Sequence, residues 1–258
     1  MRILTRLCLD HLSPNEQRAL EDDLELAGRI QTGLLPPPSQ KIDGWEIAYH
    51  YQPAGIVSGD YIDVISGDQE NVLFVLGDVS GKGVAASMLM AHLQAMFRTL
   101  ISVQLPLEQM IERASRVFCE STLPTHYATL VCGKTSREGA VEICNAGHLP
   151  PLLFHNGSVR QIAATGLPVG MFCNEHFTAN RVQLEKGDML LLYTDGLSEA
   201  LDAEGREYGA ERLAGILNDN HGLSPRALLD TCVRDWLSVG SGERSTDDVT
   251  LMAIQRTH

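Results

Sequence analysis

Four acidic clusters in this sequence share one arrangement. In V-S-G-D-Y-I-D-V, Asp60 stands just ahead of a strand-like run, and in V-L-F-V-L-G-D-V-S-G-K-G, Asp78 ends an apolar run and opens a glycine-rich turn. In M-L-L-L-Y-T-D-G, Asp195 ends another apolar run beside a turn glycine. In S-T-D-D-V-T-L-M-A-I, Asp247 and Asp248 precede the last such run. One aspartate at a strand end is ordinarily a turn former. Four of them, each fused to an apolar strand, ask for more. A carboxylate at the mouth of a buried strand is half desolvated, and carboxylates brought together repel unless positive charge sits between them. Aspartate-only sites suit hard cations, Mg²⁺ or Mn²⁺ rather than Zn²⁺. The glycines beside Asp60, Asp78 and Asp195 leave room for metal-bound water and for a backbone carbonyl as ligand. The residues alone point to metal-assisted hydrolysis of an unspecified substrate.

The frame that must position them is an ordinary globular chain. It has 258 residues, 44% hydrophobic and 21% charged, enough to bury a substantial core. Twenty Lys and Arg against 33 Asp and Glu leave a formal charge of −13, which argues against nucleic-acid or anionic-membrane partners held by clustered Lys and Arg. No run approaches the ~18 consecutive apolar residues of a membrane span, and the opening M-R-I-L-T-R-L-C-L-D is too short and charged for a signal peptide. The six cysteines, Cys8, Cys119, Cys132, Cys144, Cys173 and Cys232, form no C-x-x-C pair. They read as neither a zinc site nor a disulfide framework, so a cytoplasmic setting is expected.

Ser13, Pro14 and Glu16 form a capping box with proline at the first helical position, and Leu20, Leu24, Ala27, Ile30 and Leu34 lay one stripe along a helix ending at Pro36-Pro37-Pro38. This helix, roughly 33 Å long, either packs on its own domain or pairs with a second copy. Trp45, Ile47, Tyr49 and Tyr51 then alternate as a half-buried strand. Further strands are expected near Tyr61–Ile65, Val72–Leu76, Ala128–Thr135, Val141–Asn145, Pro151–Phe154, Val159–Ile162, Phe177–Leu184, Met189–Tyr193 and Val249–Ile254. Helices are expected over Gly83–Ser102, Pro106–Glu120, Ala210–Asn218 and Pro225–Ser238. Adjacent strands with helices grouped between them predict an α+β fold of mainly antiparallel sheets. The aspartates span everything after Pro38, so residues 41–258 read as one domain behind a linker of residues 1–40.

S-G-D-Y-I-D-V, G-D-V-S-G-K-G, N-A-G-H-L-P-P-L-L, Y-T-D-G-L-S-E-A and S-T-D-D-V-T-L resemble the successive motifs of the SpoIIE/RsbU-type branch of the PPM metal-dependent protein phosphatases. I-Q-T-G-L-L-P-P resembles that branch's lead-in segment, and the likeness runs from about Leu26 to Ile254. The resemblance implies an α/β/β/α sandwich with a centre for two Mn²⁺ or Mg²⁺ ions at one edge of the sheets. Asp78 would bridge both ions, Asp195 and Asp247 would complete one site, and Asp60 with the Val79 carbonyl would serve the other. Asp248 and Asp63 would support from behind, Asp248 standing as the alternative to Asp247 as a ligand. A water between the ions would attack phosphoserine or phosphothreonine in line. The branch further implies a phosphorylated STAS-domain anti-sigma-factor antagonist as substrate in bacterial partner switching. It also implies an upstream sensor or activator acting through the N-terminal helix, and the heptad-like spacing of that helix adds the expectation of a homodimer whose packing tunes metal occupancy. His148 reads as a structural turn residue, and Arg98, Arg181 and Lys82 are candidate phosphate holders that spacing does not separate. Ser58 and Leu149 depart from the commoner glycine and asparagine without removing a ligand.

Rival readings are weaker. G-D-V-S-G-K-G is not a phosphate-binding P-loop, because Lys82 falls where G-x-x-x-x-G-K-[ST] needs its second glycine. A phosphoprotein-binding module without turnover would have lost a ligand aspartate, and none is missing. A small-molecule phosphoesterase keeps the same metal chemistry and differs in substrate alone.

Overall fold

The computed structural model describes residues 13–42, 44–66, 71–239 and 246–258. Cys8 and the first twelve residues of the expected linker lie outside that range. Helix α1 (Pro14–Leu34) starts at the anticipated capping box, Ser13 N–H donating to Glu16 Oε2 at 2.8 Å. The chain continues through β1 (Ser39–Ile42), β2 (Trp45–Gln52), β3 (Asp60–Ser66), β4 (Val72–Val79), α2 (Val84–Leu100) and α3 (Leu107–Ser121). Next come β5 (Ala128–Thr135), β6 (Ala140–Ala146), β7 (Leu152–His155), β8 (Ser158–Gln161), β9 (Asn180–Gln183) and β10 (Met189–Tyr193). The short α4 (Asp195–Ser198), α5 (Ala210–Asp219), α6 (Pro225–Val239) and β11 (Val249–Arg256) complete it.

The strands form two sheets, ordered β1-β2-β11-β10-β7-β8 and β3-β4-β5-β6-β9, with every ladder between named strands antiparallel. Strand alternation sorts their side chains. Val72, Phe74 and Leu76 of β4 meet Ile62, Val64, Met252 and Ile254 between the sheets, while Leu73, Val75 and Val79 turn outward into the core beneath α2 and α3. Both faces of β4 are buried, which is why its sequence is an unbroken apolar run. On the other sheet, Leu213, Leu217, Leu228, Cys232 and Trp236 of α5 and α6 close the outer face. The result is the expected helix–sheet–sheet–helix sandwich.

Val84–Val103 is long and apolar enough to cross a membrane by length and composition. Its Ala86, Met90, Leu93 and Phe97 recur on one buried face in the core shared with β3 and β4, the packing of an amphipathic core helix.

Four local features differ from the sequence reading. The edge strand β1 was not expected, since S-Q-K-I is short and half polar. The strand expected over Phe177–Leu184 is only Asn180–Gln183, because Phe177 turns into the helix-side core instead. Cys119 and Cys173 form a disulfide, Cα atoms 5.3 Å apart across 54 residues of sequence. This corrects the reading of the cysteines as unpaired, and with it the cysteine argument for a reducing setting. Cys132, Cys144 and Cys232 are buried thiols. Finally, α1 is stapled to the domain only near its end. Leu20 is 40% and Ile30 61% exposed, and the single buried residue of the helix is Gln31.

Candidate metal centre

The register of β3 against β4 sets Asp60 directly opposite Asp78, and the next strand continues that row with Thr129. By alternation the row faces the space between the sheets, at the end where β3 begins and β4 finishes. Like charges directly opposed on a sheet are unfavourable. The second sheet meets this row with Thr194, at the end of β10, and Thr250 of β11. Thr250 Oγ1 donates to Asp60 Oδ2 at 2.5 Å and Thr194 Oγ1 to the same oxygen at 3.1 Å. Asp60 is buried, and desolvation together with the facing Asp78 holds its carboxyl well above the usual carboxylate range. Burial first, then Asp195, Asp247 and Asp248, push Asp78 up to about 7. Burial and the neighbouring Asp247 likewise raise Asp195.

Asp195 opens α4 rather than a bare turn, and the one-turn helix lies against the residues preceding β11. A methyl placed on Gly196 would stand 2.0 Å from the Asp248 carbonyl oxygen. Only glycine permits that approach, and it brings Asp195 beside Asp247. The adjacent aspartates then separate in role. Asp248 accepts from Ala54 N–H and Gly59 N–H, both at 2.8 Å, and so braces the loop ahead of β3. Asp247 faces the cleft, where Lys82 Nζ lies 2.6 Å from its Oδ2. The Val79 carbonyl oxygen and Asp78 Oδ1 would lie 3.3 and 3.5 Å from a methyl on Gly59, so both border one small space that glycine leaves open. Asp63 sits elsewhere. It points to the opposite face of β3 and is gripped by Arg98 Nε at 2.7 Å and Arg98 Nη2 at 2.6 Å.

The cleft, about 400 Å³, is walled by Asp78, Asp195 and Asp247 together with Lys82, Tyr127 and His148, among others. Among the described residues no three acidic, imidazole or thiol side chains converge into a ready coordination shell. Three of the carboxylates have protein partners instead: hydroxyls for Asp60, Lys82 for Asp247, backbone amides for Asp248. Such a cluster of oxygens, in which burial and then neighbouring carboxylates raise Asp60, Asp78 and Asp195, fits hard divalent cations as counter-charge.

His148 is buried, its Nδ1 2.8 Å from Thr129 Oγ1 and its Nε2 3.1 Å from the Tyr193 carbonyl. The carbonyl only accepts, so Nε2 carries the proton and Nδ1 accepts from the threonine. Desolvation lowers its pKa to about 4. It is a neutral structural residue of the cleft wall, not a proton donor near neutrality.

Sequence reasoning missed Thr194, Thr250 and Gln31. The two threonines flank the predicted aspartates at one and two residues, the only signal they offer. Gln31 Nε2 donates to the Ser58 carbonyl at 2.7 Å while its Oε1 accepts from Ser58 N–H at 2.9 Å. Three residues earlier on the same helix face, Gly28 lets α1 rest against the Ile56 carbonyl. Helix α1 therefore grips the segment that leads into Asp60. Gln31→Ala strands two buried polar groups, and a loss of about 2 kcal/mol is expected, with weaker Mn²⁺ binding. Urea unfolding and Mn²⁺ calorimetry read the two effects, and a wild-type midpoint would show that the amide contributes nothing.

The profile of the Stage II sporulation protein E (SpoIIE) family matches residues 68–257. Protein IcfG of Synechocystis sp. is 27% identical over 91% of this chain and 41% of its own length. Phosphoserine phosphatase RsbU of Bacillus subtilis is 24% identical over 73% of this chain and 57% of its own. The chain thus spans about half the length of the curated relatives it matches. Among solved structures, the RsbU and RsbW domains of Rv1364c from Mycobacterium tuberculosis superpose with a TM-score of 0.73 at 28% identity, covering 86% of this chain and 63% of that one. With that family profile spanning most of its length, the chain belongs to the SpoIIE family.

Proposed function

We propose that this protein hydrolyses phosphoserine or phosphothreonine on a protein substrate, with two divalent cations, Mn²⁺ or Mg²⁺, at the cleft. Asp78 would lie between them, Asp195 and Asp247 on one side, and Asp60 with the Val79 carbonyl on the other. The observation that carries this reading is the Asp60–Asp78 pair, opposed on one row at the mouth of the sandwich and joined there by Asp195 and Asp247. Bound cations supply Lewis-acid charge and lower the pKa of an attacking water. The chain's own residues hold and orient. Thr194 and Thr250 fix the Asp60 carboxylate, Asp248 braces the loop at Gly59, and Gly196 seats α4 so that Asp195 reaches the cleft. The proposed route needs no phosphoenzyme, and His148, buried and neutral, does not protonate the leaving serine.

By family resemblance the substrate is a phosphorylated STAS-domain antagonist of an anti-sigma factor, met in the cytoplasm. Residues 41–258 form the catalytic unit, and residues 1–40 carry the regulatory segment. The exposed Leu20, Leu26 and Ile30 on α1 support a partner for that helix, either a second copy or an upstream sensor, and the Gln31–Ser58 contact offers a route from it to Asp60.

The test is phosphate release from a phosphoserine-bearing STAS-domain protein in Mn²⁺, in chelator, and beside free nucleotides. Release confined to the protein and to Mn²⁺ is expected. Release that survives chelation would sink the metal reading, release from nucleotides alone the substrate class, and binding without release would identify a non-catalytic module.

A further inference from the structure

Three cationic side chains stood as candidate phosphate holders, and the fold separates them. Arg98 is committed to a two-pronged pair with Asp63 on the helix side of β3. Arg181 lies on the edge strand β9, paired with Glu142 at 2.9 Å. Among the described residues, Lys82 is the one Lys or Arg that lines the cleft, beside Asp78, Asp195 and Asp247.

Its placement is built into the backbone. Gly81 and Gly83 on either side have φ of +104° and +71°, conformations that L residues with side chains rarely adopt, so the loop between β4 and α2 presents Lys82 at one fixed place. The side chain is 62% exposed, with Nζ 2.6 Å from Asp247 Oδ2 and 3.3 Å from the Thr246 carbonyl. An exposed pair of this kind contributes little. It is readily exchanged for a stronger anion. A phosphate monoester brings a charge near −2 and three acceptor oxygens, and its charge must be matched in a cleft whose carboxylate walls, Asp78, Asp195, Glu199 and Asp247, are acidic.

We infer that Lys82 is the substrate-positioning cation of this site, leaving Asp247 to hold a phosphoryl oxygen of the bound phosphoserine through its ammonium group. This rests on the phosphatase reading above. In the ligand-free cleft Lys82 neutralises Asp247. With Asp247 engaged in a metal shell, the same ammonium faces the centre of the cleft and receives the phosphoryl group. The role needs a compact charge on a flexible stem, which lysine supplies.

The experiment compares wild type with Lys82→Met, which keeps the length of the stem, and Lys82→Arg. Three readouts are taken: inorganic phosphate affinity of the Mn²⁺-loaded protein by calorimetry, Mn²⁺ affinity of the free protein, and KM against kcat for a phosphoserine protein. Because Lys82 is exposed, neither variant threatens folding. Lys82→Met is expected to weaken phosphate binding and raise KM by about 10-fold or more, as loss of a charge-assisted hydrogen bond predicts. Its Mn²⁺ affinity should stay level or tighten, since Asp247 loses a competing cation, and Lys82→Arg should recover most of the phosphate affinity. Unchanged phosphate affinity in Lys82→Met overturns the inference, and so does a loss confined to Mn²⁺ affinity, which would make Lys82 a tether for Asp247. Phosphate binding decides the matter without turnover. A wild type that binds phosphate through Lys82 yet releases none from any substrate counts against the proposed function, not against this role.

Discussion

Asp78→Asn is expected to lower Mn²⁺-dependent phosphate release by a factor on the order of 10³ or more, while making the metal-free protein more stable. Both follow from where the residue sits. Asp78 faces Asp60 across one ladder position and feels Asp195, Asp247 and Asp248 as well. In the proposed centre it is the residue shared by both cations, so its loss removes charge from each. In the absence of cations the same carboxylate is a liability.

The sign of the stability effect follows from linkage. Asp78 is raised from 3.8 to about 7 in the folded protein, so the folded state binds this proton more tightly than the unfolded chain. Its contribution is fully present below about pH 4 and is lost as pH rises toward 7. Asparagine carries no such charge. In chelator, Asp78→Asn should therefore gain little at pH 4 and on the order of 2 kcal/mol at pH 8, where wild type carries a buried charge that its neighbours also repel. Saturating Mn²⁺ should reverse the order, since binding stabilises only the protein that keeps its ligand. Urea midpoints at both pH values, with and without Mn²⁺, read all of this. A variant less stable than wild type in chelator at pH 8 would mean that the carboxylates do not strain one another.

How much of this was legible beforehand depended on whether the signal was local. The strands β5 and β10 fall on the expected residues, because alternation or an unbroken apolar run bounded by turn residues is written within a few positions. The aspartates were visible for the same reason, each fused to such a run. Their register was not. That Asp60 faces Asp78, rather than a neighbour one residue away, depends on long-range pairing between β3 and β4, and a one-residue slip would send one of them to the helix face. Gln31 was hidden within an apolar stripe that drew attention to Leu24 and Ile30, and its value comes from meeting Ser58. The Cys119–Cys173 bond is of the same kind, joining the end of α3 to a distant loop. Asp63 was the converse case. Its motif places it three residues from Asp60, but in a strand three residues change the face, and it ends up under Arg98.

Gly196→Ala is expected to damage the site as severely as some ligand substitutions, though it replaces no proposed ligand. The added methyl would lie 2.0 Å from the Asp248 carbonyl oxygen, 2.8 Å from its carbon and 3.2 Å from the Asp247 carbonyl carbon. All three are backbone atoms, at the entry to the central strand β11, and none can swing aside. Helix α4 or the Asp247–Asp248 peptide must move by about an ångström, which parts Asp195 from Asp247. Misplacement on that scale costs on the order of 10² in activity, and overpacking adds about 1–3 kcal/mol of instability. Mn²⁺ affinity should fall with it. Gly33→Ala is the contrasting change, since nothing lies within 4 Å of a methyl at that position in α1. It should gain about 0.5–1 kcal/mol from helix propensity and leave Mn²⁺ binding alone. Calorimetry on both variants decides whether the close approach of α4 to the residues before β11 holds the two aspartates together. Wild-type Mn²⁺ affinity in Gly196→Ala would show that they converge without it.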